Sequence, residues 1–392
     1  MLNIGLTGNI GAGKSTVARW LREWGATLID SDELVREVQL PGSATLRAIA
    51  QRFGSDILKP DGSLDRDVLR ARAMRDAQSL NALNEIVHPA VQQLRTERAR
   101  LAAERGDCVL VNDIPLLFEV LDPGDFDVVV LVDAPEALRR ERIERERGLS
   151  PEVAERMIAA QLPAAEKRAR SGIVLDNDGA LEELEAATHA AWRTIRQRAA
   201  AKLLDGPGVF LAVATDQREA VRAFGGTMAR YADAGAETWL ACIAPGASEQ
   251  GAEALGLHGT LLLRAPGQDA GDEPAVTAAV ERVIRQRRPD VTVTIGPGDG
   301  TQATLYHTAR SAWSAAGSPG MLFCSTPSRA GPSIHAQLDV RPWRDVRAAA
   351  LDALGAAEDA ATTPLVEREV FTAAVPPKQL LVDLFHAVDR AG

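Results

Sequence analysis

Short apolar runs alternate with long charged segments over the first 200 residues of the chain. The predicted strands are Leu2–Leu6, Ala26–Ile29, Val109–Val111, Val128–Val132 and Ile173–Leu175. The clearest predicted helices between them are Ser15–Trp24, Asp65–Asn81 and Pro151–Ala169. Strands made almost entirely of Val, Ile and Leu, with helices between them, are typical of a parallel sheet covered on both faces. The pattern therefore predicts a doubly wound α/β domain.

A second alternating unit follows a break in this pattern. Leu181–Lys202 predicts a terminal helix, and the Gly- and Pro-containing stretch Leu204–Gly208 ends it. Further strands are predicted at Val209–Ala214, Thr238–Ile243, Thr260–Leu263 and Val291–Ile295, with helices at Gly225–Ala234 and Ala275–Gln286. Because 392 residues are many for one core, we expect two domains, residues 1–203 and 208–392, the second also α/β and Rossmann-like.

The amino-acid composition limits which partners and which cellular compartment are expected for the protein. The net charge is −10, and acidic side chains outnumber basic ones in both halves, which argues against a nucleic-acid backbone as partner. Three widely separated cysteines without a CxxC pair fit a reducing compartment. The N-terminus has no signal-peptide pattern and no apolar run approaches the roughly 20 residues that span a bilayer. We expect a cytoplasmic protein without a membrane partner; a homo-oligomer stays open.

The strongest motif is G-x-x-x-x-G-K-[ST], directly after the first strand and at the start of a helix. Its residues are Gly8, Asn9, Ile10, Gly11, Ala12, Gly13, Lys14, Ser15 and Thr16. Glycines let the backbone turn its N–H groups towards phosphate oxygens, and the helix N-terminus adds a partial positive charge. Lys14 can bridge the β- and γ-phosphates and the Ser15 hydroxyl can bind Mg²⁺. The motif therefore predicts ATP or a similar nucleotide.

An acidic motif follows the next predicted strand. Asp32 lies at the carboxyl end of that strand, where parallel sheets place their ligands. A carboxylate there could accept the proton of an attacking hydroxyl group. The alternative is that Asp32 only caps a helix that starts at Glu33.

Five motifs together resemble the dephospho-CoA kinase family. They are Gly8–Thr16, Ile29–Asp32, Ile86–Pro89, Asp113–Glu119 and Asp176–Gly179, in the family's order and spacing over residues 1 to about 200. The resemblance implies a P-loop kinase fold with a helical lid. It also implies ATP-dependent phosphorylation of the 3′-hydroxyl of dephospho-CoA, the last step of coenzyme A synthesis, with Mg²⁺. Asp32 matches the family's catalytic aspartate.

The resemblance assigns further residues to the acceptor side. Asp113 would be a second acidic group near Mg²⁺ or a loop cap. The segment Pro115–Glu119, with Pro115 and Leu116 as substrate-binding residues, would form part of the acceptor-binding wall. His88 would contact the acceptor or stabilise a helix kink, and its position before Pro89 disfavours helical backbone.

On the donor side, several arginines crowd one helix. Most of such a run is a solvated face, but one or two should close over the phosphates. Arg142 matches the family's lid arginine, whereas the second lid position holds Glu146, with Arg145 or Arg147 as substitutes. Asn177 lies in the segment that resembles the family's adenine side, or it simply forms a turn.

The second half resembles the N-acetylglucosaminyl (PIG-L-like) zinc deacetylases through short pieces. These are Gly225–Thr227, Ala229–Tyr231, Gly235, Arg288–Thr294, Gly296–Gly300, His307 and Asp383–Phe385. The catalytic motif A-H-P-D-D-E is missing.

At the positions of that motif, Asp216 replaces the metal-binding histidine, Glu219 replaces the metal-binding aspartate and Arg218 replaces the base. Such a set suits a hard cation better than zinc and lacks a base. We therefore expect a non-catalytic domain.

Three other functions remain open. One is a different small-molecule P-loop kinase, against which the Asp113–Glu119 run argues. The second is a bifunctional protein with a metal-dependent deacetylase in its C-terminal half. The third is a C-terminal binding module that tunes the kinase.

Overall fold

Two β-sheets organise the chain in a computed structural model that describes residues 1–202, 208–244, 249–263, 273–296, 301–325, 336–356 and 367–373. The first sheet has five parallel strands in the order β2-β3-β1-β4-β5. These strands are β1 Leu2–Gly8, β2 Thr27–Asp30, β3 Val109–Asp113, β4 Val128–Asp133 and β5 Ile173–Asp176. Strands β3 and β4 are buried along their whole length, as a sheet covered on both faces requires.

Ten α-helices surround this sheet in the first 202 residues. They are α1 Lys14–Glu23, α2 Ser31–Val38, α3 Ala44–Phe53, α4 Arg66–Ala73, α5 Ala77–Glu104, α6 Leu117–Val120, α7 Glu136–Arg147, α8 Pro151–Ala159, α9 Ala164–Ala169 and α10 Leu181–Ala201. Helices α2 to α5 form a lobe with a small core of its own, and α7 and α8 pack on each other beside the P-loop. The α/β class and the parallel sheet predicted for this half are confirmed.

The second sheet is mixed. Its described strands are β6 Val209–Ala214, β7 Glu237–Cys242, β8 Gly259–Leu262, β9 Val291–Ile295, β10 Met321–Ser325, β11 Ala336–Asp339 and β12 Arg368–Ala373. The order is β11-β12-β10-β9-β6-β7-β8, parallel from β10 to β8 and antiparallel at β11 and β12. Its described helices are α11 Gln217–Asp233, α12 Glu249–Ala254, α13 Glu273–Arg287, α14 Thr301–Ala315 and α15 Arg344–Ala353.

Two predicted helices are each broken in two. The predicted helix Asp65–Asn81 is wrong because Asp76 adopts an extended conformation and its carboxylate caps α5 by accepting from Ser79 N at 2.7 Å. The predicted helix Pro151–Ala169 is wrong because Pro163 is extended and starts α9 instead of continuing α8. Local capping overrides periodicity at both sites.

The longest helix contradicts the expectation for His88. Helix α5 runs through His88 and Pro89 without ending, although a residue before proline disfavours helical backbone. Glu85, whose carbonyl loses its usual partner at Pro89, lies on the exposed side of the helix, so water can satisfy it.

One hydrophobic core joins the two sheets. Buried side chains of β1, β3, β4 and α10 and those of the second sheet belong to one continuous cluster, in which Trp192 and Trp343 are fully buried. The predicted break at Leu204–Gly208 lies outside the described residues except for Gly208. Among the helices of the described residues, none is long and apolar enough to cross a membrane.

Candidate active site

The P-loop connects β1 to α1 at the carboxyl edge of the first sheet. Gly11 and Gly13 have positive φ values of 76° and 95°, a conformation that residues with a Cβ atom rarely adopt. A side chain at Gly11 would also come within 2.7 Å of the Arg139 carbonyl oxygen. The loop is therefore shaped by its glycines, and Ser15 lies exposed in the first turn of α1.

Side chains from distant elements support the back of this loop. Asn177 donates from Nδ2 to the Ala12 carbonyl at 2.8 Å, so its amide lies beneath the loop. Arg142 donates to the carbonyls of Asn177 at 3.1 Å and of Gly11 at 3.4 Å. Gln161 accepts from Ile10 N at 2.8 Å. Arg142, predicted on the sequence as a catalytic lid arginine that closes over the phosphates, and Asn177, predicted to bind the nucleotide, both hold P-loop backbone in this structure.

Three carboxylates lie close together at the end of the sheet, and one of them pairs with Lys14. Strands β2 and β3 are in register at Asp30 and Asp113, and the Lys14 ammonium forms an ion pair with Asp113. Burial raises the pKa of Asp113; the positive charge of Lys14 opposes that rise, and the charges of Asp30 and Asp32 add to it. The site thus places one cation among three acids at the end of the sheet.

Asp32 is not the helix cap. Helix α2 begins at Ser31, and the Asp30 carboxylate caps it by accepting from Asp32 N at 2.8 Å and from Glu33 N at 3.2 Å. The Asp32 side chain is exposed in the first turn. The capping role that the sequence left open for Asp32 belongs to Asp30, and the Asp32 carboxylate faces solvent beside Asp113.

The side chains of the predicted acceptor wall do not all face the same way. The Pro115 carbonyl is held by Thr7 Oγ1 at 3.2 Å, and Leu116 is exposed to solvent. Glu119, at the end of the same motif, turns inward instead. His88 lies exposed on α5, and no hydrogen bond or ion pair of its side chain defines a role there within the described residues.

The inward turn of Glu119 creates a buried ion pair that sequence reasoning did not find. Glu119 Oε1 lies 2.8 Å from the ammonium of Lys167 on α9, whose side chain is fully buried, and also accepts from Leu162 N at 3.1 Å. The pair ties α6, which carries the end of the predicted acceptor wall, to α9 near the lid helices. The only sequence signal was the position of Glu119 at the end of a motif.

We expect Glu119→Gln to lower the free energy of unfolding by about 3 kcal/mol, because it leaves the fully buried Lys167 without a counter-charge. Lys167→Met should cost less, since Glu119 still accepts a hydrogen bond from Leu162 N and its side chain is 18% exposed, whereas the side chain of Lys167 is fully buried. Urea titrations of the two variants measure the difference. An equal or larger loss in Lys167→Met would contradict this asymmetry.

A cavity of about 570 Å³ opens beside the P-loop. It lies where β4 and β5 end, and the lid helices form its other wall; its lining includes Asn9, Asp133, Arg139, Ile158, Gln161 and Asp178. Arg139 is buried and donates from Nε to the Ala134 carbonyl at 3.1 Å. Asp133 forms an ion pair with Arg168 at 3.0 Å.

The other lid arginines pair with acids on the surface. Arg140 lies 3.9 Å from Glu144, and Arg145 lies 3.3 Å from Glu141 and 3.4 Å from Glu146. All of these side chains are at least one third exposed, so such pairs contribute little to stability and leave the arginines able to move.

In the second half, the positions that match a deacetylase site make structural contacts. Asp216 caps α11 by accepting from Glu219 N at 2.9 Å, and Glu219 accepts from Gln302 at 2.8 Å and from Thr215 N at 3.2 Å. Arg218 donates to the Leu354 carbonyl at 2.6 Å.

Helix α11 starts at Gln217, so the segment that matches the deacetylase motif forms a helix start. The helix is kinked at Phe224, whose backbone is not helical (φ −152°, ψ 28°), and the part after the kink coincides with the predicted helix Gly225–Ala234. His307 lies in α14 and its ring packs edge-on against Tyr306. Residues 297–300 and Asp383–Phe385, which carried part of this resemblance, lie outside the described residues. Nowhere in the described ranges do three His, Cys, Asp or Glu side chains gather as a metal site would require.

Comparisons with known proteins agree with this geometry. A family model described as dephospho-CoA kinase matches residues 2–183. A dephospho-CoA kinase of Streptomyces avermitilis is 44% identical over 199 residues, which are 51% of this chain and 96% of that protein. A dephospho-CoA kinase of Mycobacterium tuberculosis is 44% identical over 194 residues, which are 50% of this chain and 47% of that protein.

The C-terminal part has solved neighbours of a different kind. One is an N,N′-diacetylchitobiose deacetylase from Pyrococcus horikoshii, 12% identical with a TM-score of 0.36, which covers 52% of this chain and 98% of that one.

Proposed function

Since this chain belongs to the dephospho-CoA kinase family, we propose that its first sheet and P-loop transfer the γ-phosphoryl group of ATP to the ribose 3′-hydroxyl of dephospho-CoA, with Asp32 acting on that hydroxyl. The observation that carries the residue assignment is the position of Asp32. Its carboxylate is exposed, performs no cap, and lies beside the ion pair of half-buried Lys14 and buried Asp113 at the end of the P-loop sheet.

ATP would bind with its phosphates in the P-loop. The backbone N–H groups from Gly11 to Thr16 and the start of α1 supply the donors, as in other P-loop proteins. Lys14 would exchange its Asp113 partner for the β- and γ-phosphates, a move that keeps the ammonium paired with negative oxygen throughout. The cavity beside Asn9 would take the nucleoside part, since its volume falls in the range of small-molecule sites.

The residues present fit Mg²⁺ bound chiefly through substrate. The cation prefers oxygen ligands and usually takes one or two from the protein and the rest from phosphates and water. Ser15 offers an exposed hydroxyl, and Asp113 would be freed by the movement of Lys14. When bound, the ion would neutralise charge on the β- and γ-phosphates.

Asp32 would orient the acceptor hydroxyl and accept its proton as the bond to phosphorus forms. The acceptor itself would approach over Leu116 and Val120, whose side chains are 41% and 49% exposed and offer an apolar surface to the aliphatic arm of dephospho-CoA. Arg142 and Asn177 would keep the P-loop in its phosphate-binding shape.

The acceptor is tested by ADP release from the purified full chain with ATP and either dephospho-CoA or adenosine monophosphate. We expect turnover with dephospho-CoA and a product one phosphoryl group heavier than the acceptor by mass spectrometry. Comparable turnover with adenosine monophosphate would favour a different small-molecule kinase on the same scaffold.

We also expect the reaction to need the divalent cation. Adding a chelator should abolish ADP release, and excess Mg²⁺ should restore it, because the developing charge on the phosphates then has its counter-ion again. Full turnover in the chelator would remove Mg²⁺ from the proposal.

For the C-terminal half we propose no chemistry of its own. Glu219 and Arg218 are engaged in contacts within the half, and Arg218 stands where the deacetylases carry a base. Metal analysis of the full chain tests this, and stoichiometric zinc with deacetylase activity would overturn it.

We propose a cytoplasmic location because Cys108, Cys242 and Cys324 are free thiols.

A further inference from the structure

A buried charge cluster lies at the amino ends of strands β2 and β3, at the opposite end of the first sheet from the phosphate site. We define the Asp107 cluster as Thr27, Arg105 and Asp107 of the N-terminal half with Asp339, Arg341 and Arg368 of the C-terminal half. Asp107 precedes β3 and Asp339 ends β11, and the side chains of both are completely buried. Two carboxylates are thus removed from water where the halves meet.

Contacts within this cluster cross between the halves repeatedly. Asp107 accepts from Thr27 at 2.7 Å and from Arg105 at 2.7 Å in its own half, and pairs with Arg341 at 3.0 Å and with Arg368 from the other half. Burial alone would raise the pKa of Asp107, but the hydrogen bonds from Arg105 and Thr27 and the charge of Arg341 hold it below its usual range.

Arg341 occupies the centre of the cluster. Its guanidinium binds both oxygens of Asp339, at 2.8 Å from Nε and 3.1 Å from Nη2, while also reaching Asp107. Asp339 in turn accepts from Cys108 N at 2.9 Å, so the backbone just before β3 bonds to the C-terminal half. The Arg341 backbone lies against Gly25 (φ 108°), where a Cβ atom would collide with the Arg341 carbonyl group.

A second contact lies on α10. Arg196, with 7% of its side chain exposed, pairs with Asp233 at 2.8 Å and with Asp345 at 3.1 Å, and Trp343 Nε1 donates to Asp233 at 2.7 Å. The buried Trp192 of the same helix belongs to the continuous core.

Tethered domains that move independently meet through modest, wet interfaces. Here the apolar core continues from one half to the other, and the carboxylates of Asp107 and Asp339 between the halves are fully buried. Separation would therefore expose the core and leave these carboxylates without their partners.

We propose that the C-terminal half is a permanently docked structural partner of the kinase sheet. The Asp107 cluster holds it at the amino ends of the strands, away from the phosphate site, so that the two halves unfold as one cooperative unit. The surface formed by Thr27, Arg105, Asp107 and Gly25 is the docking site, and its partner is the segment from Asp339 to Arg341 with Arg368. This inference is independent of the acceptor and of the role given to Asp32, because its test reads folding and not turnover.

The decisive variant is Arg341→Met in the full chain. It removes the only guanidinium that binds both buried carboxylates among the described residues, while keeping an apolar stem of similar length. Arg285→Met is the matched control, since Arg285 lies on the exposed face of α13 and pairs only with Glu281 and a helix-end carbonyl. Thermal unfolding and hydrogen exchange at rising urea concentration, followed in peptides from Val109–Asp113 and Val209–Ala214, give the readout.

In the wild-type chain we expect both peptides to lose protection over the same urea range. Arg341→Met should lower the melting temperature by about 5 °C and let the two peptides lose protection separately, with kcat at low temperature unchanged. Arg285→Met should behave as wild type.

Separate unfolding of the two peptides in the wild-type chain would overturn the proposal. So would wild-type stability and a single transition in Arg341→Met. If Arg341→Met does not fold, Arg368→Gln gives the same test, because it removes one arm from Asp107 and leaves the Asp339–Arg341 pair in place. Its expected result is a smaller shift in the same direction, and no shift would contradict the proposal.

Discussion

Asp32→Asn is expected to lower kcat for dephospho-CoA on the order of 10²–10⁴-fold, the range over which a positioned general base contributes. The amide keeps the size and hydrogen-bonding reach of the side chain but cannot take up the proton of the acceptor hydroxyl. Because Asp32 is exposed and does not cap α2, the variant should fold normally and its Kd for ATP should stay close to the wild-type value.

Glu33→Gln is the control for this prediction. Glu33 is an exposed acid in the same turn of α2, so the variant loses the same charge within one residue of Asp32. It should keep wild-type turnover. A comparable loss in both variants would mean that local negative charge matters and not the Asp32 carboxylate, and near-normal turnover in Asp32→Asn would remove its proposed role.

Lys14→Met should weaken ATP binding and lower kcat together, by about 10²-fold or more in turnover, because the cation is lost where charge develops on the transferred group. Calorimetric titration with a non-hydrolysable ATP analogue measures binding, and ADP release measures turnover. Lys202→Met is the control, since that lysine pairs with Asp127 on the surface away from the P-loop.

The same substitution has a separate effect on stability. Lys14 opposes the rise that burial causes in the pKa of Asp113, so without Lys14 that pKa should rise further. A carboxyl group whose pKa is raised in the folded state binds more protons folded than unfolded, so its contribution to stability falls as pH rises through that range. Lys14→Met should therefore be less stable than wild type at neutral pH and recover on acidification.

The double variant Lys14→Met/Asp113→Asn separates the two effects. It removes the buried charge that Lys14 had compensated, so stability at neutral pH should return while turnover stays low. Unfolding midpoints at two pH values and ADP release, measured on the single and double variants, check this. A double variant no more stable than Lys14→Met would contradict the pairing.

Some features of the candidate site could be predicted because they depend only on residues close together in the sequence. The P-loop was predictable because its shape follows from backbone sterics at Gly11 and Gly13 and from the strand before it and the helix after it. The position of Asp32 was predictable for a similar reason, since its place after β2 follows from a short apolar run and a turn to helix, whereas its role came from the family resemblance and stays a prediction.

Other features depended on partners far away in the chain. The inward turn of Glu119 requires Lys167, and the support of the P-loop by Asn177 requires Ala12, which is 165 residues away. The helical conformation of His88 depends on the packing of α5, which outweighs the local preference of a residue before proline.

By itself, the sequence determined the α/β class and the phosphate loop, because each follows from short-range rules of strand, turn and helix. The family of the first half came from the resemblance of five motifs to a known family. Only the tertiary structure decided that the two halves share one core and that Arg341 joins its neighbour Asp339 to Asp107, which lies 234 residues before Arg341. The physical reason is that a buried ion pair depends on which surfaces meet in the folded chain, and a single sequence carries no local mark of that meeting.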